Sequence, residues 1–459
     1  MFAIPGIVGL LVFVYVRPQE FIAALRAVPT LYLMLGAAAF GLVIDVQLRR
    51  SRATSAPQSP WVAAFFLWCG ATLAVRSPPQ IPTMVIAVGT SVALWLVIGN
   101  GVQTFRALQT VAAALLAATL FVAFVADEQG MSDFGCHILD QDSGDATGTY
   151  DGRPCVTPRD CLRGDPEPGA DYNCEKVGLF GTQSVGGRVR YRGPLNDPNE
   201  LSLAMAIGVP FAFAFLERRR TALRMLLLLL TLALVVPCVI FSQSRGGQLV
   251  FLAVIGAYFI KRYGMRGLAI GAIVALPILL LGGRGGEEAE SSSAERLGCW
   301  YEGMSMVREY PLIGVGQGQF VEHHTQTAHN SYILAPAELG IVGMVLWSVI
   351  LWISVKIPIQ VLRTWPVERG SDAAAARTWA MALLASWIGV LVGIFFLSMC
   401  YHPVLWIWIG LSAALWQAMR THDRDWDVGF DWRDLAAVVA IDFALIVVLF
   451  VYTRIKGAP

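Results

Sequence analysis

The stretch Met225-Leu-Leu-Leu-Leu-Leu-Thr-Leu-Ala-Leu-Val-Val-Pro-Cys-Val-Ile-Phe241 runs for seventeen residues without a charge. As an α-helix it rises about 25 Å, at ~1.5 Å per residue, close to the roughly 30 Å of a bilayer's hydrocarbon core. A helix satisfies its own backbone hydrogen bonds in lipid, whereas a barrel strand would alternate apolar and polar residues. The run is continuous, so it reads as a spanning helix. Twelve more follow the same pattern, near residues 2–16, 30–46, 61–75, 83–98, 108–126, 201–216, 249–260, 268–281, 332–355, 378–399, 404–418 and 435–452.

Composition agrees. Of 459 residues, 56% are apolar and 15% charged, and the mean hydropathy is +0.59. Counting glycine and leaving out tyrosine, the apolar share is about 63%, against roughly 45–50% in soluble domains. This excludes a soluble enzyme, a disordered chain and a nucleic-acid binder. The expected fold is an all-α integral membrane protein of about 12–13 transmembrane helices with two long periplasmic loops. The first run lacks a basic leader and a small-residue cleavage site, so it reads as a retained helix. There is no internal repeat.

Positive charge sets the orientation. With residues 47–60 on the cytoplasmic side, the cytoplasmic connections hold eighteen Lys/Arg, against four in the short loops opposite. Two connections are long, 127–198 and 283–330, and both fall on the outer side. They divide the chain into helices 1–126, a first outer loop 127–198, helices 199–282, a second outer loop 283–330 and helices 331–459. Loops of this length in a compact fold are usually functional or disordered. The first carries thirteen acidic and seven basic residues, the second seven and three.

Four of the eight cysteines, Cys136, Cys155, Cys161 and Cys174, lie in the first loop. Their spacing matches no zinc pattern, and in an oxidising compartment it implies two disulfides whose connectivity stays open. Five of six histidines also fall outside, three of them (His323, His324 and His329) within seven residues. There is no His-Glu-x-x-His pattern, and the five-residue step from His324 to His329 leaves one helical face, so neither a metal nor another cofactor is expected. A histidine at a membrane-water boundary is instead placed for proton transfer to an amphiphilic substrate.

Four motifs remain. Arg188-Val-Arg-Tyr-Arg-Gly-Pro-Leu-Asn-Asp-Pro-Asn-Glu200 sets three arginines before a helix that Asp197 or Asn199 can cap. Phe241-Ser-Gln-Ser-Arg-Gly-Gly247 puts Arg245 in a tight outer turn, where a guanidinium suits phosphate and the glycines permit close backbone approach. Snorkelling is the ordinary alternative. Residues 296–308 read as an amphipathic helix with a Leu297, Trp300, Tyr301, Met304 stripe. Gly314-Val-Gly-Gln-Gly318 lacks the strand-loop-helix context of a nucleotide site and reads as a turn.

Taken in order, these elements resemble the O-antigen ligase and O-antigen polymerase superfamily of bacterial lipid-linked oligosaccharide transferases. The resemblance covers roughly residues 190–350. It rests on Leu-Asn-Asp-Pro-Asn-Glu entering a helix, then Ser-Arg-Gly-Gly, an Arg-x-x-x-Trp helix, Tyr-Pro-Leu-Ile-Gly-Val-Gly-Gln-Gly-Gln-Phe, and His-Asn-Ser-Tyr. His329-Asn330, nine residues and Gly340-Ile-Val-Gly343 fit the ligase pattern. The cysteine-bearing first loop departs from the commoner form.

The resemblance implies a GT-C-like polytopic glycosyltransferase at the inner membrane, with its site facing the periplasm. The donor would be a glycan on undecaprenyl diphosphate, and the acceptor lipid A-core, a lipid-linked glycan or a protein hydroxyl. The activated leaving group requires no nucleotide. By family position His329 is the catalytic residue and Arg245 and Arg296 bind the diphosphate. Arg192 is expected as a third cation, with Asn199, Glu200, Glu302 and Asn330 in support. Ligase, polymerase and protein O-oligosaccharyltransferase remain open. A transporter would set its charges near mid-membrane, along broken helices, whereas here they gather at one interface.

Overall fold

The computed structural model describes residues 1–52, 54–138, 149–163, 166–167, 169–264, 266–267, 269, 271, 286–365 and 371–456. Its longer helices are α1 (Ala3–Tyr15), α2 (Thr30–Gln47), α3 (Ser59–Arg76), α4 (Ile81–Gly101), α5 (Phe105–Met131), α6 (Pro198–Arg218) and α7 (Ala222–Phe241). They continue with α8 (Arg245–Tyr263), α9 (Gly286–Glu309), α10 (Ser331–Thr364), α11 (Ser371–Gly393), α12 (Pro403–His422) and α13 (Trp432–Ile455). Twelve of the thirteen apolar runs fold as one of these helices, and the run at 268–281 lies almost wholly outside the described residues. Among the described residues eight helices are long and apolar enough to cross a membrane, and the others fall short in length or apolar character. The protein is an all-α, multi-pass membrane protein.

The helices begin where a side chain can satisfy their first free amides. Asp197, Thr221, Ser244 and Asn330 accept from backbone N–H groups at the starts of α6, α7, α8 and α10. Burial then sorts the bundle. Helix α6 is enclosed by α5, α7, α8 and α11, with nearly every residue buried. Helix α13 is buried only at Val438, Asp442, Leu449 and Thr453, and leaves residues such as Phe443 and Val448 exposed, as a lipid-facing surface requires.

The first outer segment begins later than its charge pattern indicates, because α5 continues through Asp127 to Met131. It folds around a small antiparallel sheet of β1 (Phe134–Ile138), β2 (Thr149–Pro154), β3 (Tyr172–Gly178) and β4 (Thr182–Gln183), in the order β2-β1-β3-β4. Cys136 and Cys174 face each other across β1 and β3, yet each bonds elsewhere, in Cys136–Cys161 and Cys155–Cys174. The apolar core here is little more than these four cysteines and Tyr172, too small to hold the segment without crosslinks. Lys176 Nζ donates to the Gly130 carbonyl and the Leu179 amide to Glu128 (2.6 Å), anchoring the sheet on the end of α5.

The second outer segment is mostly α9. Its buried face is Cys299, Gly303, Met304, Met306 and Val307, packed toward α10 and α13. Of the stripe read from the sequence only Met304 is fully buried. Leu297 and Tyr301 are half-buried, and the Trp300 ring lies edge-on to Phe395. The face is thus rotated by about one residue, toward Cys299 instead of Tyr301.

Candidate active site

Residues from three helices converge at one end of the bundle. Asp197, the N-cap of α6, accepts from the Asn199 amide (2.6 Å) and Asn199 Nδ2 (2.7 Å). That fixes the Asn199 side chain with Oδ1 turned toward α8, where it accepts from the Ser244 hydroxyl at 2.7 Å. Ser244 in turn caps α8 by accepting from the Gly247 amide at 2.9 Å. Arg188 braces the joint, donating from Nε to the Ser242 carbonyl (3.0 Å) and from Nη2 to Asn199 Oδ1 (3.3 Å).

Gly247 is what lets the two helix ends meet. A Cβ there would lie 2.0 Å from Ser202 Oγ on α6. The glycine of this motif admits a neighbouring helix, not only a ligand. The turn before it carries Gln243 at φ +48°, a left-handed backbone that costs energy for a residue other than glycine.

A recess of about 70 Å³ opens over this joint, lined by Asn199, Gln243, Arg245, Gly246, Ser293 and Arg296. Two guanidinium groups from different helices therefore share one small space at the positive ends of α6 and α8, an arrangement that favours an anion. Below it a cavity of about 920 Å³ runs between α8, α10, α11 and α13. Its walls are mostly apolar, including Leu249, Leu252, Leu391, Phe396 and Leu445, with the Ser348 hydroxyl donating to Asp442 (2.8 Å) among them. Phe396 also packs on Gly246 of the recess, so the charged and apolar spaces adjoin.

His329 precedes α10 with a left-handed backbone, φ +48°, and is half-buried. Burial lowers its pKa below the ordinary histidine range, and the nearby Arg296 charge lowers it further, against weaker opposing pulls from Asp197 and Glu295. The imidazole is therefore neutral near pH 7 and able to accept a proton. Asn330 is fully buried, its Oδ1 accepting from the Tyr332 amide at 2.9 Å. Its Nδ2 meets no acceptor among the described residues.

What holds His329 is legible only in three dimensions. Ser331 is tied to the segment after α11, its amide donating to Ile394 O (2.8 Å) and its hydroxyl donating to Leu397 O (2.6 Å) while accepting from the Met399 amide (2.8 Å). Helix α10 breaks at Gly340, φ +67°, where a Cβ would sit 2.2 Å from the Leu312 carbonyl oxygen. The break leaves the Ala337 and Glu338 carbonyls to accept from the Val315 and Gly316 amides, each at 2.9 Å. The buried Glu338 carboxylate accepts from the Gly318 amide (2.8 Å) and the Phe320 amide (3.2 Å). The glycine-rich segment 314–318 is a turn clamped onto α10, and it leads the chain toward His329. Ser244, Ser331 and Glu338 carry the positioning and were not singled out from sequence, whereas Asp197 caps its helix as the sequence indicated. Each stands within or beside a quoted motif, which was the available signal.

The remaining sequence candidates lie elsewhere. Arg192 lines a different recess, with Nη1 3.7 Å from Glu20 and Nη2 bonded to the Phe180 carbonyl, and so does not join Arg245 and Arg296. Glu200 approaches His402 Nε2 at 3.9 Å and is not part of the lining. Glu302 is half-buried on α9, six residues beyond Arg296 and so about 120° round the helix from it, outside the recess. Among the described residues the one grouping of metal-ligand types is Cys136, Cys155 and Cys161, whose sulfurs are spent in disulfides.

Residues 230–348 match a family model described as O-Antigen ligase. The matched stretch contains Arg245, Arg296, His329 and Asn330 and stops short of the Asn199 joint and the disulfide-bonded segment. No curated protein matches the chain. The match supports the O-antigen ligase superfamily and an O-antigen ligase- or polymerase-type function, with a lipid-linked glycan donor and an acceptor as its substrates.

Proposed function

We propose that this protein is an O-antigen ligase-like glycosyltransferase that moves glycan from undecaprenyl diphosphate to an acceptor hydroxyl at the periplasmic face of the inner membrane. The observation that carries this reading is the adjacency of a two-arginine recess, a neutral half-buried histidine and a long apolar cavity at one end of the bundle.

In this reaction the acceptor hydroxyl gives its proton to His329 as its oxygen attacks the anomeric carbon. The bond from that carbon to the diphosphate oxygen breaks, and the configuration inverts in a single displacement. The leaving diphosphate gathers negative charge beside Arg245 and Arg296. A preorganised cationic contact of this kind contributes on the order of 3–4 kcal/mol, about 10²–10³ in rate. The polyprenyl tail would occupy the apolar cavity that adjoins the recess.

The test is transfer from a labelled undecaprenyl-diphosphate oligosaccharide by the purified protein. His329→Ala should abolish transfer at unchanged protein level, and Arg245→Gln should weaken donor binding. Full transfer by the His329 variant would remove its role as base. A transporter would move the lipid without releasing undecaprenyl diphosphate. Loss of surface polymer, of its extension or of protein modification in a deletion strain separates ligase, polymerase and protein transferase.

A further inference from the structure

His329 holds a left-handed backbone, φ +48°, which a residue other than glycine keeps only where its surroundings fix it. The chain on either side of it is tied to one element, the irregular segment 394–402 between α11 and α12. Two residues after the histidine, Ser331 bonds Ile394, Leu397 and Met399 through its amide and hydroxyl. Two residues before it, the Thr327 hydroxyl donates to the Ser398 hydroxyl at 2.9 Å. The span 327–331 is thus pinned at both ends.

Segment 394–402 is itself held from behind. The Tyr401 carbonyl accepts from the Ser91 hydroxyl on α4 at 2.8 Å, and the Cys400 carbonyl from Trp406 Nε1 on α12 at 3.0 Å. His402 Nε2 donates to the Pro194 carbonyl at 2.9 Å, ahead of α6. On another side Phe396 packs on Gly246, where a Cβ would lie 3.2 Å from the Phe396 Cβ. One segment therefore touches both the chain that carries His329 and the turn that carries Arg245. It lies outside the stretch matched by the family model.

We propose that Ser398 is a positioning residue of the transfer reaction, holding His329 beside the recess of Arg245 and Arg296 through its bond to Thr327. The inference rests on the glycan-transfer reading, which makes His329 the base. Ser331 fixes only the chain after the histidine. Ahead of Thr327, residues 321–323, 325 and 326 are exposed, so without the Ser398 tie the strained backbone can relax from that side. A base displaced by about 1 Å loses much of its rate, since proton transfer depends on close geometry. Ser398 lines neither the arginine recess nor the apolar cavity, so its loss leaves the donor's contacts in place.

The test uses the full-length protein in nanodiscs. Ser398→Ala should lower kcat for transfer from the labelled undecaprenyl-diphosphate oligosaccharide about ten-fold, with KM for that donor within about two-fold of wild type. Ser398→Thr keeps the hydroxyl and should restore most of kcat. Thr327→Val removes the same bond from the other partner, should match Ser398→Ala, and decides the matter if Ser398→Ala does not fold. The double variant should be no slower than either single one. A second readout is independent of transfer: carbethoxylation of histidines by diethyl pyrocarbonate, located by mass spectrometry. His329 should react about three-fold faster or more in Ser398→Ala, while His323, exposed in the same segment, reacts as in wild type. Unchanged His329 reactivity, or a fall in kcat that Ser398→Thr does not restore, would overturn the proposal. Faster His329 carbethoxylation in a protein whose wild type transfers no glycan would support the tether and remove the transfer reading instead.

Discussion

The Ser244 hydroxyl donates to Asn199 Oδ1 across 2.7 Å and links the first turns of α6 and α8, forty-five residues apart in sequence. The same oxygen caps α8 by accepting from the Gly247 amide. One atom thus stabilises a helix end and fixes the wall that carries Arg245. Ser244→Ala removes both contacts. The lost cap is worth about 1 kcal/mol, and the lost bond to Asn199 Oδ1, which keeps Arg188 as a donor, about a further 0.5–1.5 kcal/mol. Thermal unfolding in detergent should show a lower midpoint, with Ser244→Thr retaining most of it.

In the proposed reaction Arg296 would act on His329 as well as on the leaving group. Its charge disfavours the imidazolium, so removing it raises the His329 pKa from its lowered position toward the ordinary 6.5. If His329 is the base, the acidic limb of the wild-type pH–rate profile should lie below pH 6.5, because the base works only when deprotonated. Arg296→Gln should move that limb to higher pH and lower kcat by about 10²–10³. A limb that stays in place would show that the two groups are not coupled.

The contact of Gly247 with Ser202 predicts a specific epistasis. Gly247→Ala sets a methyl 2.0 Å from Ser202 Oγ, an overpacking of about 1–3 kcal/mol. Ser202→Gly alone costs ~1 kcal/mol in a helix interior. It also removes the clashing atoms, so the double variant should be more stable than the sum of the single losses. Strict additivity in denaturation measurements would mean that the helices part at another point.

His402 makes stability depend on pH. Burial lowers its pKa to about 4, against 6.5 in the unfolded chain. Between those values the unfolded state binds the proton more readily, so stability rises with pH across this window. The contribution is complete above pH 6.5 and is lost as the pH falls toward 4, on the order of 3 kcal/mol in all. His402→Gln should flatten the stability curve between those limits, read as the unfolding midpoint at several pH values.

Much of this was legible in the chain itself. Uncharged runs long enough to cross lipid specify helices wherever they occur, because a backbone in hydrocarbon has no other partner for its polar groups. The clustering of histidine and motif arginines near one interface, and the ordered motifs from Leu195 to Gly343, depend on local sequence alone. Sequence periodicity also called the helix at 296–308, although its buried face is turned toward Cys299 by partners on α10 and α13 that lie far along the chain.

Tertiary structure decided which polar residues meet. Arg188, Arg190 and Arg192 alternate in one short stretch and read alike, yet they reach the Ser244 joint, the Gln183 carbonyl and Glu20 respectively. Cys136 opposes Cys174 but bonds Cys161. Gly340 and Glu338 look like helix interior and instead clamp a turn that leads to His329. In each case the partner lies on a separate element, and a side chain's partner is set by how the helices pack. Hydrophobic sequence determines that helices form and span. The few close contacts that small residues such as Gly247 permit determine where their ends converge, and so where charge can act on a substrate.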